Sequence, residues 1–300
     1  MTKTAWVFPG QGSQAVGMGI DLQNLPSAKN KLAIAQTILG WSVLDVCQGD
    51  EQTLARTLYT QPCLYVIESI LVDLLAEKTD LPQLVAGHSL GEYVALYAAR
   101  VFDFESGLTL VKKRAELMDN AAGGKMAALM KFDRPQLTTA LTDTDGVVLA
   151  NDNSEGQVVI SGTPEGVEDI LNRVKAKRAM TLNVSGAFHS PLMQPAAEEF
   201  TKVLDSVSFK DAKIPVISNT DPTPTTEAQK LKQRLASQMT SSVRWREIML
   251  QLSQLEVTDV VEIGPGKVLC GLIKRTCRDI NLEAIATAEQ IDAKAAVLSS

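Results

Sequence analysis

The pentapeptide Gly87-His88-Ser89-Leu90-Gly91 constrains the fold of this chain more than any other stretch. An apolar run at 84–86 precedes it, and apolar residues at helical spacing follow from Tyr93 onward. This pattern predicts a strand, a sharp turn and a helix, which is the context of a nucleophile elbow. Glycines on both sides let strand and helix approach closely, and the turn would hold Ser89 in a strained geometry with its Oγ exposed. Ser89 is therefore the candidate nucleophile.

The length and charge of the chain limit the class of protein. Its 300 residues predict two domains, or one large domain with an insertion. With 29 Lys and Arg against 35 Asp and Glu, the net charge of −6 makes general binding of nucleic acid improbable. The N-terminus lacks an apolar signal-peptide core, and we expect no membrane-spanning segment. The sequence thus predicts a soluble cytoplasmic protein that binds neither nucleic acid nor membrane.

Cysteine and histidine are both scarce. The four cysteines lack C-x-x-C spacing, which favours reduced thiols over disulfides or a zinc site. The only histidines are His88 and His189. A residue adjacent to the nucleophile in an elbow points its side chain elsewhere, so His88 is a poor candidate for a general base. His189 lies in a loop between a predicted strand and a predicted helix, and it is the imidazole left for that task.

An arginine lies on the apolar face of a predicted helix, 104–122. Gly107, Val111, Arg114 and Met118 follow one another at i, i+4, i+7 and i+11, which places them on one side of a helix. A buried guanidinium without a partner is costly. Arg114 therefore needs a protein carboxylate or a ligand anion, or it reaches solvent by snorkelling, and the periodicity alone leaves these alternatives open.

A glycine-rich loop follows the first predicted strand, 4–8. Gly10, Gly12 and Ala15 have the spacing of a dinucleotide-binding loop, but no strand ending in an acidic residue follows at the required distance. Dinucleotide binding is therefore disfavoured. Such a loop can also bring polar groups close to a reacting carbonyl, and Gln11 is the side chain available for that purpose.

The middle of the chain has a different order of elements from its two ends. Between 125 and 185 the pattern predicts βαββαβ, the ferredoxin-like arrangement, with a polar hairpin loop at 150–156 suited to a cleft. The flanking parts alternate strands and helices, which favours a parallel sheet covered on both faces. We therefore predict a large α/β domain formed by 1–123 and 187–300, with a small subdomain inserted at 124–186.

Taken together, the candidate residues describe acyl transfer through a covalent serine ester. Ser89 would be the nucleophile and His189 the base, while Gln11 and the backbone N–H of Leu90 would form an oxyanion pocket. A hydrolase would use the same groups, so the acceptor of the acyl group is not settled by them. No acidic residue stands out as the third member of a triad.

Seven motifs in order resemble those of the malonyl-CoA:acyl carrier protein transacylases, over about residues 4 to 275. They are Phe8 to Gln14, Thr60 to Pro62, Gly87 to Tyr93, Arg114 with Met118, Asn151 to Gly162, Gly186 to Ser190, and Glu262 to Lys267. The resemblance implies an α/β-hydrolase-like domain with a ferredoxin-like subdomain. It also implies transfer of malonyl from coenzyme A to the phosphopantetheine thiol of acyl carrier protein in type II fatty acid synthesis, with no metal or redox cofactor.

The resemblance further implies a role for each site residue. Ser89 is acylated, His189 acts as base, and the backbone N–H groups of Gln11 and Leu90 bind the oxyanion. Arg114 holds the malonyl carboxylate, since a guanidinium fork matches that geometry. The resemblance also implies that Gln61, Met118 and Phe188 line the acyl pocket. The backbone carbonyl of Gln238, with Asn219 nearby, would orient the histidine.

Substrate selection and partner binding are also expected to follow the family. The ring of Phe188 should crowd a methyl branch and disfavour methylmalonyl. Acyl carrier proteins are acidic, so basic residues should flank the cleft. The candidates are Lys267, Lys274 and Arg275 near the C-terminus and Lys175, Lys177 and Arg178 in the subdomain.

Three other functions compete with this interpretation. A serine thioesterase or hydrolase would share the elbow, but neutral acyl esters would give Arg114 no partner. A non-catalytic scaffold would not need Ser89 and His189 together. A discrete acyltransferase serving a polyketide synthase would use the same chemistry, and the sequence barely separates it from the fatty acid enzyme.

Overall fold

A parallel sheet of five strands forms the centre of the larger part of the protein. The computed structural model describes residues 2–298. The strand order is β7-β2-β1-β8-β9, and every neighbouring pair is parallel. The strands are β1 (Thr4–Phe8), β2 (Leu84–Gly87), β7 (Val216–Ile217), β8 (Asp259–Ile263) and β9 (Asn281–Ile285).

The alternation of side chains along β1 divides the core into two layers. Trp6 and Phe8 pack into one apolar cluster, while Ala5 and Val7 pack into a second cluster on the opposite face of the sheet. Helices cover both faces, as the sequence predicts. They are α1 (Pro26–Leu39), α2 (Val43–Gln48), α3 (Glu51–Ala55), α4 (Thr57–Ala76), α5 (Gly91–Ala98), α6 (Phe104–Asp119), α9 (Gln194–Ser206), α10 (Ala228–Gln238), α11 (Trp245–Gln254), α12 (Val268–Thr276) and α13 (Ala288–Leu298).

The second sheet has four antiparallel strands in the order β4-β5-β3-β6. Its two helices give the βαββαβ arrangement predicted from the sequence. The elements are β3 (Lys125–Phe132), α7 (Arg134–Asp143), β4 (Val147–Ser154), β5 (Gln157–Gly162), α8 (Pro164–Arg173) and β6 (Ala176–Thr181). The predicted fold class, a parallel-sheet α/β domain with a ferredoxin-like subdomain, is confirmed, whereas the exact limits 124–186 stay a prediction.

Two predicted boundaries in the subdomain are wrong. The apolar residues 180–184 favour the last strand of the subdomain there, but β6 begins at Ala176, because it is an edge strand whose side chains are largely exposed and polar. The hairpin at 150–156 is a strand as far as Ser154, followed by a turn at 155–156. Its polar residues indicate an interface with the large domain, since Asp152 accepts hydrogen bonds from Arg246 and Arg134.

The apolar pattern from Leu54 to Ala76 predicts a single helix, but the helix is interrupted at Arg56, which has an extended backbone between α3 and α4. The hydroxyl of Thr60 donates to the carbonyls of Leu54 and Arg56, so the interruption leaves both acceptors satisfied. α4 is long and apolar enough to cross a membrane by length and composition, contrary to the sequence expectation. It is nevertheless 83% buried within the protein, as the core helix of the fold.

α4 also carries a buried carboxyl group without a hydrogen-bond partner. Both oxygens of Glu68 are unpaired within residues 2–298, and the side chain is fully buried against the turn at Gly264. The neighbouring carboxylate of Glu262 instead accepts from the N–H groups of Leu269 and Cys270 at the start of α12. Burial, and secondarily the charge of Glu262, raises the pKa of Glu68 well above its ordinary value of 4.5.

We expect the Glu68→Gln variant to lose a pH dependence of stability that the native protein has. Because the folded-state pKa is raised, the stabilising effect of the protonated carboxyl is complete below the unfolded pKa and is lost as pH rises toward the folded pKa. The free energy of unfolding of the native protein should therefore fall relative to that of Glu68→Gln as the pH rises above about 4.5, by about 1.4 kcal/mol for each pH unit up to the folded-state pKa. Urea unfolding at several pH values measures this difference. Parallel pH profiles for the two proteins would contradict it.

Candidate active site

The elbow between β2 and α5 holds Ser89 at a φ of 52°, which is rare for a residue other than glycine. A Cβ atom on Gly87 would lie 1.9 Å from the carbonyl carbon of Gly91, and one on Gly91 would lie 2.1 Å from the oxygen of Phe8. Only glycine fits at these two positions. The strained turn predicted from the pentapeptide is present, and it projects Ser89 at the carboxyl end of β2.

Asn219 forms hydrogen bonds with the backbone on both sides of this turn. Its Oδ1 accepts a hydrogen bond of 2.7 Å from the N–H of Ser89, and its Nδ2 donates one of 2.6 Å to the carbonyl of Gly87. Its own N–H donates to the carboxylate of Glu92. Asn219 hydrogen-bonds to the elbow and not to His189 within residues 2–298, because it follows β7, the strand that pairs with β2, and its expected part in orienting His189 stays a prediction.

Ser89 and His189 form a dyad. The Nε2 atom of His189 lies 2.8 Å from the Oγ of Ser89, and His189 also has a positive φ, of 57°. Its Nδ1 faces two acceptors, the carbonyl oxygens of Gln238 at 2.9 Å and Ser241 at 3.2 Å. Nδ1 must therefore carry the hydrogen, which leaves the lone pair of Nε2 to accept the proton of Ser89.

The imidazole of His189 is held in its neutral form. Burial, followed by the positive charge of Arg114, lowers the pKa of His189 from 6.5 to about 3. A neutral imidazole at ordinary pH can act as a general base. His88, in contrast, directs its Nε2 to Asn153 Oδ1 at 2.8 Å and packs edge-on against the ring of Trp245.

Arg114 is fully buried, with no carboxylate within 4.0 Å among the described residues. Its Nη2 donates to Ser89 Oγ at 2.9 Å and to Gln238 Oε1 at 3.1 Å, while Nε and Nη1 have no partner within 2–298. The guanidinium also lies over the ring of Tyr93, 5.4 Å from its centroid. Of the alternatives left open by the sequence, snorkelling and a direct protein ion pair are not seen within residues 2–298.

The residues expected to line the acyl pocket are all buried near these groups. Gln61 donates from Nε2 to the sulfur of Met118 at 3.3 Å, and its Oε1 has no partner in the described chain. Phe188, which directly precedes His189 in the chain, is 5% exposed. Ser185, in the segment between β6 and His189, donates to the carbonyl of Met118 and so ties that segment to the end of α6.

Two backbone N–H groups beside Ser89 are available to a ligand. Neither Gln11 nor Leu90 donates a backbone hydrogen bond to a protein group within 2–298. The loop that carries Gln11 packs on the elbow, because a Cβ on Gly10 would lie 2.4 Å from the oxygen of His88. The amide side chain of Gln11 donates to the hydroxyl of Thr57, so the backbone, not the side chain, is free for an oxyanion.

Sequence reasoning missed Glu92 and Ser241. Glu92 is buried on α5, and its carboxylate accepts from Gln238 Nε2 at 2.7 Å. It falls within the motif Gly87 to Tyr93, and a glutamate among apolar residues of a buried helix is the signal that could have identified it. Ser241 contributes a backbone carbonyl, for which the sequence carries no signal.

The basic residues expected to meet a partner are exposed. Lys267 precedes α12, and Lys274 and Arg275 lie in its last turn. Arg275 also lines a cavity of about 450 Å³ together with Lys131 and Arg246. Lys175, Lys177 and Arg178 are exposed on or beside β6. All four cysteines are free, and no cluster that could hold a metal ion occurs within 2–298.

Comparison with known proteins places this site in a family. Residues 5–298 match the family model described as acyl transferase domain. The chain is 61% identical to a malonyl CoA-acyl carrier protein transacylase of Synechocystis sp., over 97% of this chain and 99% of that protein.

Two solved structures have the same fold over nearly their whole length. The crystal structure of the Synechocystis sp. malonyl-CoA:ACP transacylase has a TM-score of 0.96 and 60% identity, covering 97% of this chain and 100% of that one. A malonyl-transacylase in complex with its type II polyketide synthase acyl-carrier protein has a TM-score of 0.92 and 34% identity, covering 99% and 100% of the two chains. With a family model, a relative and solved structures in agreement across the chain, this protein belongs to the malonyl-CoA:acyl carrier protein transacylases.

Proposed function

We propose that this protein transfers the malonyl group from malonyl-CoA to the phosphopantetheine thiol of acyl carrier protein. The observation that carries the proposal is the position of Arg114. A buried guanidinium with two unpaired nitrogens lies 2.9 Å from the candidate nucleophile and needs an anion. The free carboxylate of a malonyl thioester would supply that anion, whereas an acetyl group would not.

In the first half-reaction His189 Nε2 takes the proton of Ser89 as Oγ attacks the thioester carbonyl. The negative charge that develops on the carbonyl oxygen is stabilised by the backbone N–H groups of Gln11 and Leu90. When the carbon–sulfur bond breaks, the imidazolium returns its proton to the departing sulfur, and coenzyme A leaves as the thiol. The carbonyls of Gln238 and Ser241 stabilise the transient charge on His189 through Nδ1–H.

The second half-reaction uses the same groups in reverse order. Neutral His189 takes the proton from the phosphopantetheine thiol, and the thiolate attacks the malonyl ester. The carbon–oxygen bond to Ser89 breaks, and Oγ regains the proton from His189. Coenzyme A is thus a substrate and product, and neither step requires a metal or redox cofactor.

A polyketide pathway is the alternative physiological setting. The structural neighbour that binds a type II polyketide synthase carrier protein supports it. Fatty acid synthesis remains our proposal for the pathway, in keeping with the name of the Synechocystis relative, and the cytoplasm is our proposal for the compartment. A thioesterase is less well supported, since hydrolysis of neutral esters would leave Arg114 without an anion.

Mass spectrometry of the intact protein tests the malonyl ester directly. After brief mixing with malonyl-CoA and an acid quench, we expect a malonyl adduct on Ser89, little adduct with acetyl-CoA, and none in Ser89→Ala. Arg114→Met should slow malonylation about a hundredfold, because the carboxylate loses its charged partner. Arg173→Met, the same change at an exposed arginine on α8, is the matched control.

Addition of holo acyl carrier protein then separates transfer from hydrolysis. Discharge of the ester with malonyl appearing on the carrier protein supports the proposal. Equal labelling by acetyl-CoA, or discharge to free malonate regardless of carrier protein, would refute it.

The pKa of His189, the proposed general base, provides a second test. Because the pKa of His189 is lowered to about 3, kcat/KM for hydrolysis of p-nitrophenyl acetate should stay level between about pH 5 and about pH 7.5. Arg114→Met removes a positive charge that contributes to the low pKa, so the acid limb of the variant should lie at higher pH than that of the native protein, while burial still lowers the pKa. A native profile that falls below pH 6.5, the ordinary histidine value, would contradict a base held neutral by its surroundings.

We further propose that the carrier protein meets the exposed basic residues of α12. Reversal of both charges in Lys274→Glu/Arg275→Glu should raise the KM for carrier protein about tenfold at low salt and less at high salt, because the partner is acidic. Malonylation of Ser89 by malonyl-CoA should change little. The control is Lys29→Glu/Lys210→Glu, which alters the net charge equally on other parts of the surface. An equal effect in both variants would exclude a specific role for α12.

A further inference from the structure

The side chain of Gln238 lies between two buried charges. Its Oε1 accepts from Arg114 Nη2 at 3.1 Å, and its Nε2 donates to Glu92 Oε2 at 2.7 Å. All three side chains are at most 1% exposed. The contact with His189 uses only the backbone carbonyl of Gln238, so the amide side chain has a separate role in the same site.

Glu92 and Arg114 act on each other without forming an ion pair. Burial raises the pKa of Glu92 and lowers the pKa of Arg114, and the opposite charge of each group opposes the shift of the other. No salt bridge joins them within 4.0 Å in the described chain. One amide group therefore separates a buried carboxylate from a buried guanidinium.

This separation resolves two opposing requirements. A buried cation needs negative charge nearby, or its desolvation is not offset. A carboxylate in direct contact would offset it but would occupy the hydrogens that a substrate carboxylate must receive. With the neutral amide interposed, the attraction of Glu92 persists while Nε and Nη1 of Arg114 stay unpaired.

We infer that Gln238 is a spacer that prevents Glu92 from pairing with Arg114, and that it thereby sets the preference of Ser89 for acyl groups bearing a carboxylate. Gln238 and Glu92 are positioning residues here, since they act through Arg114. The inference rests on the proposed function, because it assigns a cause to the malonyl preference.

A charge swap tests this role, with loss of the hydrogen bond of 2.9 Å that Gln238 Nε2 also donates to the carbonyl of Ser89. The variant Glu92→Gln/Gln238→Glu keeps the side-chain volumes, the net charge and an amide–carboxylate hydrogen bond between the two positions. It moves the carboxylate from position 92 to position 238, where it contacts Arg114. We expect the second-order rate constant for malonylation of Ser89 by malonyl-CoA to fall at least tenfold, mainly through a higher KM, and to fall about five times more than kcat/KM for the hydrolysis of p-nitrophenyl acetate.

A second pair of variants keeps the test decisive if the swap does not fold. Gln238→Ala retains the backbone carbonyl that orients His189 but removes the spacer, so Arg114 can reach Glu92 and malonylation should fall at least tenfold. Addition of Glu92→Gln removes the competing charge and should restore at least half of the lost rate. A merely structural role for Gln238 predicts no restoration, because the double variant loses still more hydrogen bonds.

The outcomes separate the inference from the function on which it rests. A native protein that is malonylated, with a swap variant that is malonylated as fast, overturns the spacer and leaves the proposed function intact. Loss of p-nitrophenyl acetate hydrolysis in parallel with malonylation also overturns it, since the dyad itself would then be damaged. A native protein that malonyl-CoA does not acylate overturns both.

Discussion

The close approach of strand and helix at the elbow is the constraint on which the site depends. Gly87 and Gly91 allow β2, α5 and the end of β1 to lie in backbone contact, and Ser89 is forced into a left-handed conformation as a result. Strain of this kind persists only where the surroundings over-determine it. Here Asn219 supplies that determination by bonding to the backbone on both sides of the nucleophile. The geometry of the nucleophile therefore depends on the parallel sheet and on the side-chain amide of Asn219, which follows the neighbouring strand β7.

Burial shifts the pKa values of the charged groups in this site more than contact with neighbouring charges does. Desolvation makes a positive charge expensive on both His189 and Arg114, yet the two groups respond differently. The imidazole gives up its proton, which makes it a base, whereas the guanidinium keeps its charge and requires an anion. The same burial thus produces an uncharged imidazole and a charged guanidinium side by side.

Much of this arrangement could be predicted from sequence because it depends on local pattern. The pentapeptide specified the elbow, and helical periodicity placed Arg114 on a buried face. The failures have a common physical cause, which is that polar residues were assigned to solvent or loops. Asn153 and Asp152 instead extend a strand against the large domain, and Glu92 sits in the core. Periodicity indicates which face of its helix or strand a residue occupies. It does not indicate which group from a distant part of the chain, such as the carbonyl of Ser241, that residue will contact.

The junction between the two sheets has a mechanical consequence. Edge strand β4 exchanges backbone hydrogen bonds with Val243, while its Asn153 bonds to His88, the residue beside the nucleophile. The subdomain is thus tied at one edge to the large domain, through the backbone of Val243 and through the side chain of His88. Because His88 is adjacent to Ser89, the orientation of a residue of the elbow depends on a side chain that the subdomain supplies.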